Sequence, residues 1–168
     1  MSQKSTEFAD NIKELYIQKE QLEEWKKVIN SYPTIASELK YVLIFHKKLT
    51  DLKAELQAII DAPDGAHTDS IRNIQLINVD LPQTKFNLEE CKNNVINAFL
   101  ACPLELESLD FLFLEYLQYD AESENDINSS SFDVNIALSE NIARLEENIS
   151  IMTSLEKKSK RKWYQIWK

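Results

Sequence analysis

Glycine is almost absent from this chain: its 168 residues include one, Gly65, and only four prolines. Tight β-turns, hairpins and phosphate-binding loops use glycine because it reaches positive φ without a steric penalty. A single glycine leaves little material for a sheet of hairpins, and it excludes the glycine-rich nucleotide-binding motifs. The composition therefore favours long helices.

Cysteine and histidine are also scarce, with only Cys91, Cys102, His46 and His67. On one helix the two cysteines would lie roughly 16 Å apart in rise, too far for a disulfide. Neither histidine has the local spacing of a zinc site. Adjacent acids such as Glu23–Glu24 point in different directions on a helix, so they make no paired-carboxylate site. We therefore expect no enzyme: no catalytic residue, no metal, no cofactor and no small-molecule substrate.

Long apolar runs are missing as well. None reaches the length of a membrane span, and the first ten residues are too polar for a secretory signal. Apolar residues nevertheless make up 43% of the chain, which excludes compositional disorder. With its cysteines reduced, we expect an intracellular protein, nuclear or cytoplasmic, neither secreted nor transmembrane.

What is present is heptad spacing, clearest from Thr34 to Asp61. Apolar residues recur there three and four apart, which places a continuous seam on one face of a helix. The seam comprises Ile35, Val42, Phe45, Leu49, Leu52, Leu56 and Ile59. A helix cannot bury such a seam alone, so it needs a partner from this chain or from another one.

A first helix precedes it, over about Ser5–Asn30, and must stop before Pro33 because a residue before proline disfavours the α region. The turn at Ser31–Pro33 either kinks the two helices or folds them back, and we favour the fold-back. Residues 1–61 are thus interpreted as an N-terminal helical, coiled-coil hairpin.

The middle of the chain is less regular. Residues 62–85 have no clean period, so a short helix, a strand or an extended segment would fit, and we interpret them as an irregular connector closed by Pro82. Residues 86–120 are interpreted as an apolar helical core segment. Within it, Leu104–Tyr119 is apolar on nearly all sides. This favours a central core helix over the alternative, a groove or ridge that another protein covers.

Periodicity returns after residues 121–133, which are acidic, rich in serine and asparagine, and interpreted as a flexible linker. Residues 134–156 form a narrow seam typical of a C-terminal coiled-coil helix. Its positions are Leu138, Ile142, Leu145, Ile149 and Met152. We expect this helix to pack against the first two helices or against a partner chain.

The last segment, residues 157–168, is basic and aromatic. It carries six of the 19 basic residues and no acid, so the rest of the chain holds 13 basic and 28 acidic residues, a net charge of −15. As a helix, it would place Trp163, Ile166 and Trp167 on one face suited to a membrane surface or a partner's groove. Extended, it could bind nucleic acid. We favour a third interpretation, in which its aromatics fold onto the acidic body.

Together these patterns predict an all-α protein: a helical bundle with coiled-coil segments, combining an antiparallel helical hairpin with a C-terminal coiled-coil helix. They favour a non-enzymatic structural subunit of a kinetochore-, transcription- or tethering-type complex. Its partners would be one or more helical subunits, in a hetero-oligomer rather than a homo-oligomer. The expected contacts are the two seams together with Trp163, Ile166 and Trp167.

Two alternatives remain. One is an adaptor whose tail, Lys157–Lys168, binds a membrane surface or nucleic acid. The other is a free-standing helical regulator that binds one peptide around Leu104–Tyr119.

Overall fold

The computed structural model describes the backbone of residues 3–62, 70–102, 110–118 and 133–166. These ranges contain helices and no strand, so the predicted all-α fold is confirmed. Within them, every helix is too short or too polar to cross a bilayer. The elements are α1 (Gln3–Ser31), α2 (Pro33–Ile60), α3 (Ser70–Gln75), a π segment (Leu76–Asp80), α4 (Leu81–Leu100), a 3₁₀ turn (Leu112–Tyr116) and α5 (Val134–Ile166).

The break between α1 and α2 falls where the proline predicts it. Tyr32 has φ −132° and ψ 88°, an extended conformation imposed by the ring of Pro33. Pro33 then opens α2 at its first turn, where a missing N–H has no consequence. Both predicted helices are therefore present. The fold-back of α1 onto α2 stays a prediction.

Residues 70–85 correct the expectation of an irregular connector. α3, the π segment and α4 follow one another without interruption, and Pro82 lies inside the helix instead of closing a loop. The Leu81 N–H donates to the Leu76 carbonyl, five residues back. Proline offers no N–H and crowds the carbonyl four residues before it, and the wider π turn accommodates both effects.

Leu104–Tyr119 was expected to be a helix, and its described part is not one. Residues 103–109 lie outside the described ranges; Leu112–Tyr116 form a 3₁₀ turn, and Leu117 is extended. The Asp110 carboxylate accepts a hydrogen bond from the Leu112 N–H at 2.9 Å, a local turn that competes with an α-helix. The predicted linker, residues 121–133, lies outside the described residues except for Asp133.

The chain divides into two compact units. In the unit of residues 32–107 and 119–134, α2 packs against α4. Arg72 forms ion pairs with Glu55, near the end of α2, and with Asp80, just before α4. α4 therefore starts beside the end of α2 and runs back along it. The buried apolar residues of these elements are Ile35, Leu39, Val42, Leu43, Leu49, Leu52, Leu76, Leu81, Leu88, Val95 and Phe99.

The other unit comprises residues 1–31, 108–118 and 135–168. Here α1 and α5 lie side by side, joined by an ion pair of 2.8 Å between Lys19 Nζ and a Glu146 oxygen. Trp25 is buried on α1 and contacts Phe113 in a tilted arrangement, with ring centroids 4.9 Å apart and planes 42° apart. Its indole N–H donates to the Asp110 carbonyl. The 3₁₀ turn is thus held against the second half of α1.

Candidate protein-binding surfaces

The two predicted seams lie in the cores of their own units. The α2 seam and the α5 seam belong to different units. Ile35, Val42, Leu49, Leu52, Leu138, Leu145 and Ile149 are buried, and Phe45, Leu56, Ile142 and Met152 are half-buried. Trp163 and Ile166 lie on the helical backbone of α5, and Trp167 lies outside the described residues.

A different surface of α3, the π segment and α4 is apolar and exposed. Ile71 is 80% exposed, Ile74 62%, Val79 55% and Phe86 66%. We call these four residues the outer face, because Leu76, Leu81, Thr84 and Leu88 are buried on the other side of the same continuous helix. Contiguous exposed apolar side chains of this size are typical of protein-binding surfaces.

Two exposed charged residues, Lys85 and Glu90, lie close to Phe86 in the sequence of α4. Between Ile71 and Thr84 the only charged residues are Arg72 and Asp80, and Arg72 forms ion pairs with both Asp80 and Glu55. The Arg72 guanidinium donates to both carboxylate oxygens of Glu55, each at 2.8 Å. This hydrogen bonding lowers the pKa of Glu55 and raises that of Arg72.

A second exposed surface lies where α1 begins and α5 ends. Among the described side chains, α1 buries none before Leu22, and α5 buries none after Ile149. A groove of about 410 Å³ follows this part of the pair and includes Leu15, Ile151 and Met152. We call this surface the open end, defined by Leu15, Tyr16, Ile151, Met152 and Leu155; Tyr16, Ile151 and Leu155 are 43–50% exposed.

Charged side chains border the open end. Lys19 bridges Glu146 at 2.8 Å and Glu23 at 3.4 Å, and the hydrogen bond to Glu146 raises its pKa. Glu14 lines the first groove, and Lys157 lines a second groove of about 370 Å³ beside Tyr16. Charges beside an apolar seam set register and partner choice. The open end therefore has the side-chain pattern of a selective helix-binding surface.

The titratable groups of the other unit are spread out. Within the described ranges, no three His, Cys, Asp or Glu side chains are placed to hold a metal ion. Burial, together with Lys53 and Lys92, lowers the pKa of His46. Burial, with Glu90 and Glu38, raises the pKa of the Cys91 thiol, which keeps the thiol protonated at neutral pH.

These features define an all-α protein with two helical units and two exposed apolar surfaces. Comparison of the chain with protein-family models, with curated proteins and with solved structures gives no match. The function is therefore inferred from the chemistry of the two exposed surfaces.

Proposed function

We propose that this protein is a non-enzymatic structural subunit of an intracellular multiprotein complex, of the kinetochore, transcription or tethering type. It would bind one or more helical partner subunits by helix packing, in a hetero-oligomer. The supporting observation is the open end, where α1 and α5 carry Leu15, Ile151 and Met152 along an open groove. Leu15 and Met152 are half-buried, and Ile151 is 50% exposed.

A helix laid in that groove would complete a three-helix or four-helix arrangement. Packing of this kind interdigitates side chains from neighbouring helices and excludes water from the seam. Fully burying one such aliphatic side chain contributes about 1.5–3 kcal/mol, and these are already partly covered, so several must act together. Met152, one of the residues predicted to bind a partner, belongs to this set.

In this proposal the buried seam residues stabilise the fold and do not contact the partner. Ile35, Val42, Leu138 and Leu145 are buried within the chain and stabilise the subunit itself. A partner would contact the continuation of the α5 seam, where the covering elements of the same unit end. Glu14, Lys19 and Lys157 would select its charge pattern.

The test compares partner capture by three full-length tagged chains in the native source. The double variant Ile151→Glu/Met152→Glu places charge in the groove and should lose stoichiometric helical partners. The matched control is Ile136→Glu, an exposed isoleucine on the same helix, which should keep them as the unaltered chain does. If the double variant keeps all its partners, the open end is not the partner-binding surface. If the unaltered chain co-purifies with no other protein, the proposed subunit function is wrong.

The adaptor alternative is favoured by one observation. α5 continues as a helix through Ile166, into the basic segment. Trp163 and Ile166 are three residues apart in the sequence, which is the spacing of an amphipathic membrane or partner anchor. In this alternative the helical body would present the tail, Lys157–Lys168, to a membrane surface or to nucleic acid.

A further inference from the structure

We propose that Lys157–Lys162 is a nuclear import signal, which the acidic groove of an import receptor binds in an extended conformation. Five of these six residues, which we call the basic cluster, are lysine or arginine. Runs of about five to eight residues rich in lysine and arginine are typical of import signals and of anion-binding segments. This inference goes beyond the subunit function above, because it assigns how the chain reaches its complex and favours a nuclear complex over a cytoplasmic tether.

The basic cluster is the densest group of cations in the sequence. Elsewhere lysines are adjacent only in pairs, at Lys26–Lys27 and at Lys47–Lys48, and acids lie close to both pairs. Lys47 is also buried and forms an ion pair with Asp51 at 2.7 Å. From residue 157 to residue 168 the sequence contains no acid. A receptor that selects on charge density would therefore recognise the basic cluster and no other part of the chain.

The basic cluster lies on a helix but outside the packed part of the fold. α5 continues through it to Ile166. Among the described side chains of α5, the last buried one is Ile149, eight residues before the cluster, and Lys157 and Lys158 are exposed. Helical ends beyond the buried part of a fold open at low free energy, since packing supplies most of the stability of helices in proteins. The cluster can therefore leave the helix while the core of its unit stays closed.

The spacing of the cations favours an extended bound state. Lys157 precedes Lys160 and Arg161 by three and four residues, and Lys158 precedes Arg161 and Lys162 by the same intervals. Like charges at this spacing destabilise a helix. An extended segment separates them and lets each one form a charge-assisted hydrogen bond with a receptor carboxylate. Binding in an extended conformation therefore removes a repulsion that the helix retains.

The charge of the rest of the chain favours a receptor over a membrane or a nucleic acid. Residues 1–156 carry a net charge of −15, and Glu156 directly precedes the cluster. A membrane surface or a nucleic acid is an extended polyanion, so it would meet this acidic body together with the basic cluster. A receptor groove that takes up six residues contacts the cluster alone.

The test follows the full chain fused to a reporter that is too large to diffuse through a nuclear pore, expressed in eukaryotic cells. The unaltered chain should accumulate in the nucleus. One variant keeps Lys157, which borders the open end, and changes four cations to glutamine: Lys158, Lys160, Arg161 and Lys162. This glutamine variant should stay in the cytoplasm. The matched control makes the same change at four exposed lysines elsewhere, and it should accumulate as the unaltered chain does: Lys13, Lys27, Lys48 and Lys85.

Two further measurements separate this proposal from the subunit function. Ile151→Glu/Met152→Glu should still accumulate in the nucleus, because the signal belongs to the chain itself and not to its partner. In a cell extract, where the compartments are mixed, the glutamine variant should capture the same partners as the unaltered chain, because its open end is intact. Nuclear accumulation of a chain that captures no partner would support the import signal and contradict the subunit function.

Three results would overturn the import signal. The first is an unaltered fusion that stays in the cytoplasm, whether it binds membranes, RNA or neither. The second is a glutamine variant that still accumulates in the nucleus. The third is an Ile151→Glu/Met152→Glu fusion that stays in the cytoplasm, because the chain would then enter the nucleus only with its partner.

Discussion

At the scale of single residues, Asn141 fixes the backbone of Gln118 by hydrogen bonds from its side chain. It is 4% exposed, and its side-chain amide satisfies both backbone groups of Gln118: the Gln118 N–H donates to Oδ1 at 2.9 Å, and Nδ2 donates to the Gln118 carbonyl at 3.1 Å. Arg144 adds a hydrogen bond to the Tyr116 carbonyl at 2.8 Å. The segment after the 3₁₀ turn has no helix or strand to supply these partners, so α5 side chains supply them.

Replacing Asn141 by leucine should therefore lower the free energy of unfolding by about 1–3 kcal/mol, because it removes two hydrogen bonds to the Gln118 backbone. Urea unfolding followed by circular dichroism would measure the loss. The control is Glu147→Leu, an exposed position on the same helix, which should change stability by no more than about 0.5 kcal/mol. Equal losses in the two variants would show that the amide does not anchor this segment.

His46 makes stability depend on pH in a definite direction. Burial, then Lys53 and Lys92, lower its pKa below the ordinary 6.5. The unfolded chain therefore binds more protons just below pH 6.5, and stability should fall as the pH drops through that value toward the lower folded pKa. Urea midpoints between about pH 7.5 and about pH 5.5 would show the slope. His46→Gln should flatten it and Lys53→Gln should reduce it; a slope that both variants retain would assign it to other groups.

At the scale of helices and turns, the heptad pattern of α2 was sufficient to predict the helix and its buried seam. Pro33 marked the end of α1 correctly for the same local reason, since proline restricts the residue before it. The partner of the α2 seam could not be predicted. That partner is α4, which follows α3 and the π segment in one continuous helix over residues 70–100. The wider π turn shifts the apolar period, so the sequence does not show a single helical pattern there.

The same shift explains why the outer face was missed. Ile71, Ile74 and Val79 showed no regular spacing as a sequence, because α-helical and π-helical turns place them on one side only in combination. The helix predicted at Leu104–Tyr119 is wrong in its described part, residues 110–118, for a different reason. Its apolar residues suit a helix, but Asp110 and Asn141 supply competing hydrogen bonds to its backbone. Of the residues of the open end, only Met152 was predicted to bind a partner. It is a residue of the α5 seam and is half-buried.

The 3₁₀ turn contributes most of its stability through one ring. Phe113 is fully buried and lies 4.9 Å from the Trp25 ring, so Phe113→Ala should cost about 3–5 kcal/mol. It should also change the tryptophan emission, because Trp25 loses the aromatic ring that it contacts. Leu112→Ala is the control, at a neighbouring residue that is 49% exposed. A loss in Leu112→Ala as large as that in Phe113→Ala would mean that the turn packs differently.

At the scale of the whole molecule, the separation of charge distinguishes the scaffold from the adaptor. The first 156 residues carry −15, and the last twelve carry +6. α5 carries most of this basic segment as the continuation of a packed helix. A scaffold needs only the packed part of α5, whereas an adaptor needs the basic end, so removing the tail should affect the two functions differently.

Deleting residues 158–168, which keeps Lys157 at the border of the open end, should leave the free energy of unfolding within about 1 kcal/mol, because no described α5 side chain beyond Ile149 is buried. For a scaffold, stoichiometric partners would also be retained. For an adaptor, the deletion would abolish binding to phosphatidylserine vesicles or to nucleic acid while the body still folds. A full-length control with the five cations of residues 158–168 changed to glutamine separates charge from the aromatic residues, since electrostatic attraction contributes about 1 kcal/mol per cation near an anionic membrane surface. If partners are lost but vesicle binding persists, the basic segment is part of the subunit contact, contrary to the placement of that contact at the open end.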